Sequence, residues 1–175
     1  MKKLFLTELN RLSIPEYKLK NKFPIILVAD NIRSGHNIGS LFRIADSFSF
    51  QQIVLAGYTS QPPHPEIEKT ALGSTQSVQW THFEQAVDFI LKLKAEQYQI
   101  IAIEQTDASL MLQEFKVNKD GRYVIVFGNE VKGVSQELLD IADHCLEIPQ
   151  MGTKHSLNVS VAAGIVSWEF VKGFL

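Results

Sequence analysis

The chain has 175 residues, 45% of them apolar and 21% charged, with a formal net charge of −2 at pH 7. That length suits one domain, able to bury about 70% of the surface its unfolded chain exposes, and the composition excludes a disordered or fibrous protein. No apolar run approaches the ~20 residues that span a bilayer and no signal-peptide pattern opens the chain, while the single cysteine, Cys145, excludes an internal disulfide and a multi-cysteine zinc site.

Charge is uneven along the chain. Residues 1–22 hold six basic groups (Lys2, Lys3, Arg11, Lys18, Lys20 and Lys22) against Glu8 and Glu16, a net +4 that leaves −6 on the remainder. The expected organisation is a basic N-terminal arm over 1–22, with a short helix at 2–12 ending before Pro15, followed by one domain over 23–175. A basic arm on an acidic body suits contact with phosphates; a solvated terminal helix would have the same composition.

Apolar runs follow at 25–29, 53–56, 99–103, 123–127 and 145–148. They are rich in Val and Ile and do not alternate with polar residues, as expected of strands covered on both faces. Helical patterns lie between or after them, at 38–48, 83–94, 136–142 and 157–170, and the three prolines in 59–65 mark a loop. Strands alternating with helices predict an α/β fold, a single-domain parallel sheet flanked by helices. The last helix is apolar on two sides. Leu157, Val161, Ile165 and Trp168 form one stripe, and Val159, Ala163, Val166 and Phe170 another. Such a helix needs two partners: one is its own sheet, and a second subunit or another element of the same chain supplies the other.

Three segments carry the chemistry: NIRSGHNIGSLFRIADSF (31–48), FGNEVKGVS (127–135) and IPQMGTKHSLNVSVAAG (148–164). Each joins a strand-like run to a polar, glycine-bearing turn, so the three are expected to converge at the carboxyl ends of parallel strands, where open α/β sheets place ligands. In the first, Ile38, Leu41, Ala45 and Phe48 share a helical stripe, and Arg43 projects almost opposite it. Asn37 stands at the helix start, where free N–H groups favour anions; a capped helix with a surface arginine reads the same way. In the second, Gly128 and Gly133 allow close backbone approach, with Asn129 and Glu130 as polar contacts. A P-loop is excluded, because Val134 stands where the lysine after the second glycine is required. In the third, Ser156 or Asn158 is a candidate helix cap. The histidines show no HExxH spacing, and no GxSxG elbow, GxGxxG fingerprint or metal site is present.

In order and spacing the three blocks resemble the motifs of the SpoU/TrmH family of RNA methyltransferases, in the SPOUT superfamily, over most of the chain from about Ile25 onward. The resemblance implies a deep trefoil-knotted α/β fold, a homodimer with its active site near the subunit interface, and S-adenosyl-L-methionine as cofactor. It implies methylation of a ribose 2′-hydroxyl in tRNA or rRNA in the cytoplasm, without membrane or metal partners. On the matching positions, Arg43, Asn37, Glu130, Ser156 and Asn158 belong to the reaction centre, while Gly128, Ile148 and Leu157 contact the cofactor. Nothing carries over onto Thr153, Lys154 or His155, where the loop is less typical of the family. Arginine's pKa above ~12 makes it a poor free base, so Arg43 is expected to stabilise developing alkoxide and position the phosphate. Two alternatives stay open: a SPOUT enzyme that methylates an RNA base, and a non-catalytic RNA-binding module.

Overall fold

A computed structural model describes residues 1–5 and 8–175. Its elements run α1 (Ile14–Leu19), β1 (Phe23–Asp30), α2 (Gly35–Ser47), β2 (Phe50–Ala56), α3 (Pro65–Ala71), α4 (Ser74–Ser77), β3 (Trp80–Phe83), α5 (Val87–Ala95), β4 (Tyr98–Ile103), β5 (Leu110–Met111), β6 (Arg122–Phe127), α6 (Gln136–Ile141), β7 (His144–Glu147) and α7 (Val159–Lys172). The strands form one seven-stranded sheet in the order β3-β2-β1-β6-β4-β7-β5, and every pairing is parallel.

Both faces of the sheet are covered, which is why its strands read as continuous apolar runs. Ile25, Leu27, Ala29, Ile125 and Phe127 pack on one face with Ile38, Leu41 and Phe42 of α2 and Ala163, Val166 and Phe170 of α7. Ile26, Val28, Val124 and Val126 pack on the other with Ile90 and Leu93 of α5 and Leu138 of α6. Helix α7 buries the stripe Val159, Ala163, Val166 and Phe170, and leaves Leu157, just before it, and Val161, Ile165 and Trp168 between 38% and 51% exposed. Trp168 of that outer stripe meets the Phe48 ring at 6.3 Å between centroids, and the stripe is otherwise left half-exposed.

The N-terminal region departs from expectation. No α-helix occupies 2–12 among the described residues, where only Glu8 lies in a 3-10 turn; Leu6 and Thr7 of that span lie outside them. The helix begins instead after Ser13, whose capping box with Glu16 and whose following Pro15 both favour a helix start. Pro15 opens a helix rather than closing one. Tyr17 anchors this helix to the body: it is buried, and its hydroxyl donates to the Ala45 carbonyl at 3.2 Å. Two edge strands, β3 and β5, were not anticipated, and Phe83, expected to open a helix, closes β3.

The register decides where function sits. Ala29 pairs with Phe127, Phe127 with Ile103, and Ile103 with Leu146. The carboxyl ends of β1, β6, β4 and β7 are therefore level, and the segments that follow them emerge along one edge.

Candidate active site

A cleft of about 460 Å³ opens at this edge, over the ends of β6, β4 and β7. Its walls are apolar at Ile103, Phe127, Leu146, Ile148 and Leu157, and carboxylates stand at Glu104, Glu130 and Glu147. Of the residues expected at the site, Gly128, Glu130, Ile148, Ser156, Leu157 and Asn158 line this one cleft.

The loop after β6 is built by internal hydrogen bonds. Asn129 and Gly133 exchange backbone bonds at 2.9 Å in both directions, and Gly133 adopts φ +71°. A Cβ on Gly128 would run into the backbone of Gly133 and Val134, so glycine is required there for the loop to close on itself. The Asn129 side chain, expected as a ligand contact, is fully engaged in construction. Its oxygen accepts from the Val131 and Lys132 N–H groups at 2.9 Å each, and its nitrogen donates to the Asn31 carbonyl and the Tyr58 hydroxyl at 2.8 Å each. Two further carboxylates brace the loop: Glu104 accepts from Val134 N–H at 2.9 Å, and buried Asp30 accepts from Ser135 N–H at 2.7 Å.

The three blocks meet through Asn37, which is only 8% exposed. Its side-chain nitrogen donates to Glu130 at 2.9 Å, and its oxygen accepts from the Asn158 amide at 3.2 Å. Glu130 also accepts from the Arg33 and Ser34 N–H groups, at 3.2 Å each. Partial burial pushes the Glu130 carboxyl up, but its own backbone N–H, those of Arg33 and Ser34 and the Asn37 amide outweigh that effect. The carboxyl is held below its ordinary range and stays ionised at neutral pH. Asn158 in turn caps α7, accepting from Ser160 N–H at 2.9 Å and the Ser160 hydroxyl at 2.6 Å. Of the two candidate caps, Asn158 is therefore the one used.

Arg43 is not in this cleft. It is exposed on α2 and lines a separate hollow of about 350 Å³ with Ser40, Ile44, Ser47, Phe48, Ser160 and Val161. The two cavities share the start of α7, with Asn158 in one and Ser160 in the other. Arg43 also lies six residues beyond Asn37, a rise of roughly 9 Å along the helix. The sequence reading did not single out Glu104, Glu147 or Tyr58. Glu104 is the first residue after β4, Glu147 ends β7 and Tyr58 follows β2 by two, so polar or aromatic residues at the close of each apolar run were the signal available.

A model of the SpoU rRNA methylase family matches residues 24–168, from the second residue of β1 into the last turns of α7, and takes in all three blocks. The chain belongs to the SpoU rRNA methylase family. It is 34% identical over 154 residues to the tRNA (guanosine(18)-2′-O)-methyltransferase of Aquifex aeolicus, covering 86% of this chain and 70% of that protein. It is 27% identical over 165 residues to the 23S rRNA (guanosine-2′-O-)-methyltransferase RlmB of Vibrio vulnificus, covering 94% of this chain and 66% of that one. Among solved structures, the A. aeolicus TrmH/SpoU tRNA modifying enzyme superposes with a TM-score of 0.81 at 28% identity, over 91% of this chain and 81% of that one. The AdoMet-bound rRNA methyltransferase of Sinorhizobium meliloti gives a TM-score of 0.80 at 26% identity, over 91% and 60%. The parallel sheet flanked by helices is thus the fold of the SpoU family's solved members.

Proposed function

We propose that this chain transfers the methyl group of S-adenosylmethionine to a ribose 2′-hydroxyl of tRNA or rRNA. The observation that carries the reading is the hydrogen-bonded run Glu130–Asn37–Asn158, which joins one residue from each family motif at the rim of one cleft. The names of the compared enzymes, all 2′-O-methyltransferases where a position is given, support the same reaction.

The cleft suits the donor on its own chemistry. Ile103, Phe127, Ile148 and Leu157 offer apolar surface to an adenine, and Glu104 and Glu147 oppose a ligand bearing ammonium and sulfonium charges. Its volume lies in the range of about 300–1,000 Å³ usual for small-molecule sites. Gly128, Ile148 and Leu157 would hold the donor. When bound, it supplies an electrophilic methyl group for direct displacement, so positioning of the acceptor carries much of the rate. The Arg43 guanidinium holds the phosphate beside the target ribose and stabilises the oxygen as it loses its proton. Asn37, Glu130, Ser156 and Asn158 orient the loops that flank donor and ribose.

A homodimer belongs to the same reading. It is supported by the half-exposed outer stripe Leu157, Val161, Ile165 and Trp168 of the last helix; Val161 also lines the hollow of Arg43, so a second subunit on that stripe would border the hollow. The trefoil knot is part of it too, supported by the interleaved order β1-β6-β4-β7, as is action in the cytoplasm on RNA reached partly through the basic arm of residues 1–22. Among the described residues no helix is long and apolar enough to cross a membrane, and no group of three His, Cys, Asp or Glu residues is placed to hold a metal ion.

The test incubates the purified protein with labelled S-adenosylmethionine and unmodified tRNA or rRNA in separate reactions, beside Arg43→Ala. Nuclease digestion and mass spectrometry then identify the methylated nucleoside. A 2′-O-methylnucleoside that disappears in the variant is the expected result; a methylated base, or no transfer to either RNA, overturns the proposal.

A further inference from the structure

Tyr58 is held in an unusual way for an exposed residue. Its hydroxyl accepts from the Asn129 amide at 2.8 Å and its backbone N–H donates to the Asn31 side chain at 3.2 Å, yet the residue is 56% exposed. The loop that carries it is fixed on both sides. Gly57 N–H donates to the Phe83 carbonyl at 3.0 Å, and the His82 ring bonds the Gly57 carbonyl at 2.8 Å. Buried Thr59 accepts from Ile32 N–H at 3.0 Å while its hydroxyl reaches the Ala29 and Ala56 carbonyls at 3.0 and 2.7 Å. Gly57 sits at φ +64°, and a Cβ there would collide with the Asn31 side chain. Backbone and phenol end are both pinned, and the ring is left facing solvent.

The position of the ring gives it a use. Tyr58 bridges Asn31, which opens the first family motif, and Asn129, which shapes the second, and it does not line the cofactor cleft. Two exposed cations stand in the same two loops: Arg33, two residues beyond Asn31, and Lys132, three beyond Asn129. A pinned, exposed aromatic residue tied to two loops that carry exposed cations is the chemistry that receives an unstacked nucleobase and its phosphates, and little freedom remains to be lost on binding.

We propose that Tyr58 is a nucleobase-stacking subsite at the mouth of the active site, taking a base of the RNA substrate at or next to the methylated nucleotide. The subsite rests on the ribose-methylation reading above for the identity of its ligand as RNA. Tyr58 is a positioning residue: it sets the substrate strand against the motif loops and touches neither the donor nor the reacting oxygen.

The experiment measures binding of fluorescently labelled tRNA transcripts, and in a separate arm rRNA transcripts, to wild type, Tyr58→Ala, Tyr58→Phe and Tyr58→Trp. S-adenosylmethionine affinity is measured by calorimetry on each protein. Loss of one stacked base predicts that Tyr58→Ala binds the RNA about 5- to 140-fold more weakly. The Phe and Trp variants should stay within about twofold of wild type, since stacking needs the ring and not the hydroxyl. Cofactor affinity and the slope of log K against log salt should not move, because no phosphate contact is lost. Tyr58→Ala binding RNA as wild type does overturns the subsite. So does Tyr58→Phe falling with Tyr58→Ala, or a parallel loss of cofactor affinity, since either outcome assigns the residue to bracing Asn129. Wild type that binds RNA but methylates none refutes the proposed reaction while the Tyr58 comparison still decides the subsite; wild type that binds neither RNA overturns both.

Discussion

Asn37→Asp tests the junction of the three motifs with the least change in shape. The aspartate can still accept from Asn158, but it replaces the donor that Glu130 holds at 2.9 Å with a second carboxylate oxygen. Two unit charges at that separation repel by about 1.4 kcal/mol in a water-like medium and ~6 kcal/mol at an effective dielectric of 20. Glu130 is exposed as a residue, so solvent screening favours the lower part of that span. Protonation of one carboxyl sets a ceiling, because neutralising an ordinary aspartate at pH 7 costs ~4 kcal/mol. The lost amide–carboxylate bond adds roughly 1.5 kcal/mol, the low end for a hydrogen bond to a charged group. The variant should therefore be about 3–6 kcal/mol less stable at pH 7, nearer the lower figure.

The pH dependence separates this account from simple loss of packing. In the native chain the Glu130 carboxyl is held below its ordinary range. Its contribution is fully present above the unfolded-state pKa and is lost only as pH falls through the lowered folded value. In the variant one of the paired carboxyls is pushed up instead and takes a proton first, so the deficit should shrink as pH falls from about 7 toward 5. Urea unfolding at fixed protein concentration, with linear extrapolation at each pH, gives both quantities. A variant within about 0.5 kcal/mol of wild type at pH 7, or a deficit unchanged toward pH 5, refutes the proposed coupling.

Three further tests follow from the geometry. Arg43 is exposed, so Arg43→Ala should leave urea stability within about 0.5 kcal/mol and lower methyl transfer on the order of 100-fold or more; near-normal turnover in Arg43→Lys would remove the planar fork from the mechanism. Gly128→Ala forces a Cβ against the Gly133 and Val134 backbone, whereas Gly152 has open space around it. Calorimetry should find cofactor affinity down by about tenfold or more in the first and unchanged in Gly152→Ala. Ile165→Asp puts a charge in the outer stripe of α7, where the side chain is 41% exposed in the single chain; on the proposed homodimer, sedimentation should report a dimer for wild type and a monomer for the variant.

What the sequence discloses here follows from which interactions are local. Central strands were legible because a sheet covered on both faces needs uninterrupted apolar runs. β3 was not, since all four of its residues are half-buried at an edge, and neither was β5, which is two residues long. The helix at 14–19 was missed because Pro15 reads as the stop of a helix at 2–12 as readily as the start of the next one, and only the Ser13–Glu16 cap decides between them. The motif loops were legible as glycine turns after strands, but their joining was not. Asn37 meets Glu130 across 93 positions and Asn158 across 121, and periodicity carries no information over such distances. Helical phase put Arg43 opposite the buried stripe, as found, yet phase says nothing about which hollow an exposed side chain enters. The same limit hid Tyr58, whose anchor lies 71 positions away on Asn129. In the sequence it is an aromatic residue before a proline-rich loop; in the fold it is a fixed ring between two motifs. Its partners are the side-chain amides of Asn31 and Asn129, brought together by the sheet register, so whatever it does for the substrate depends on that register and not on its sequence neighbours.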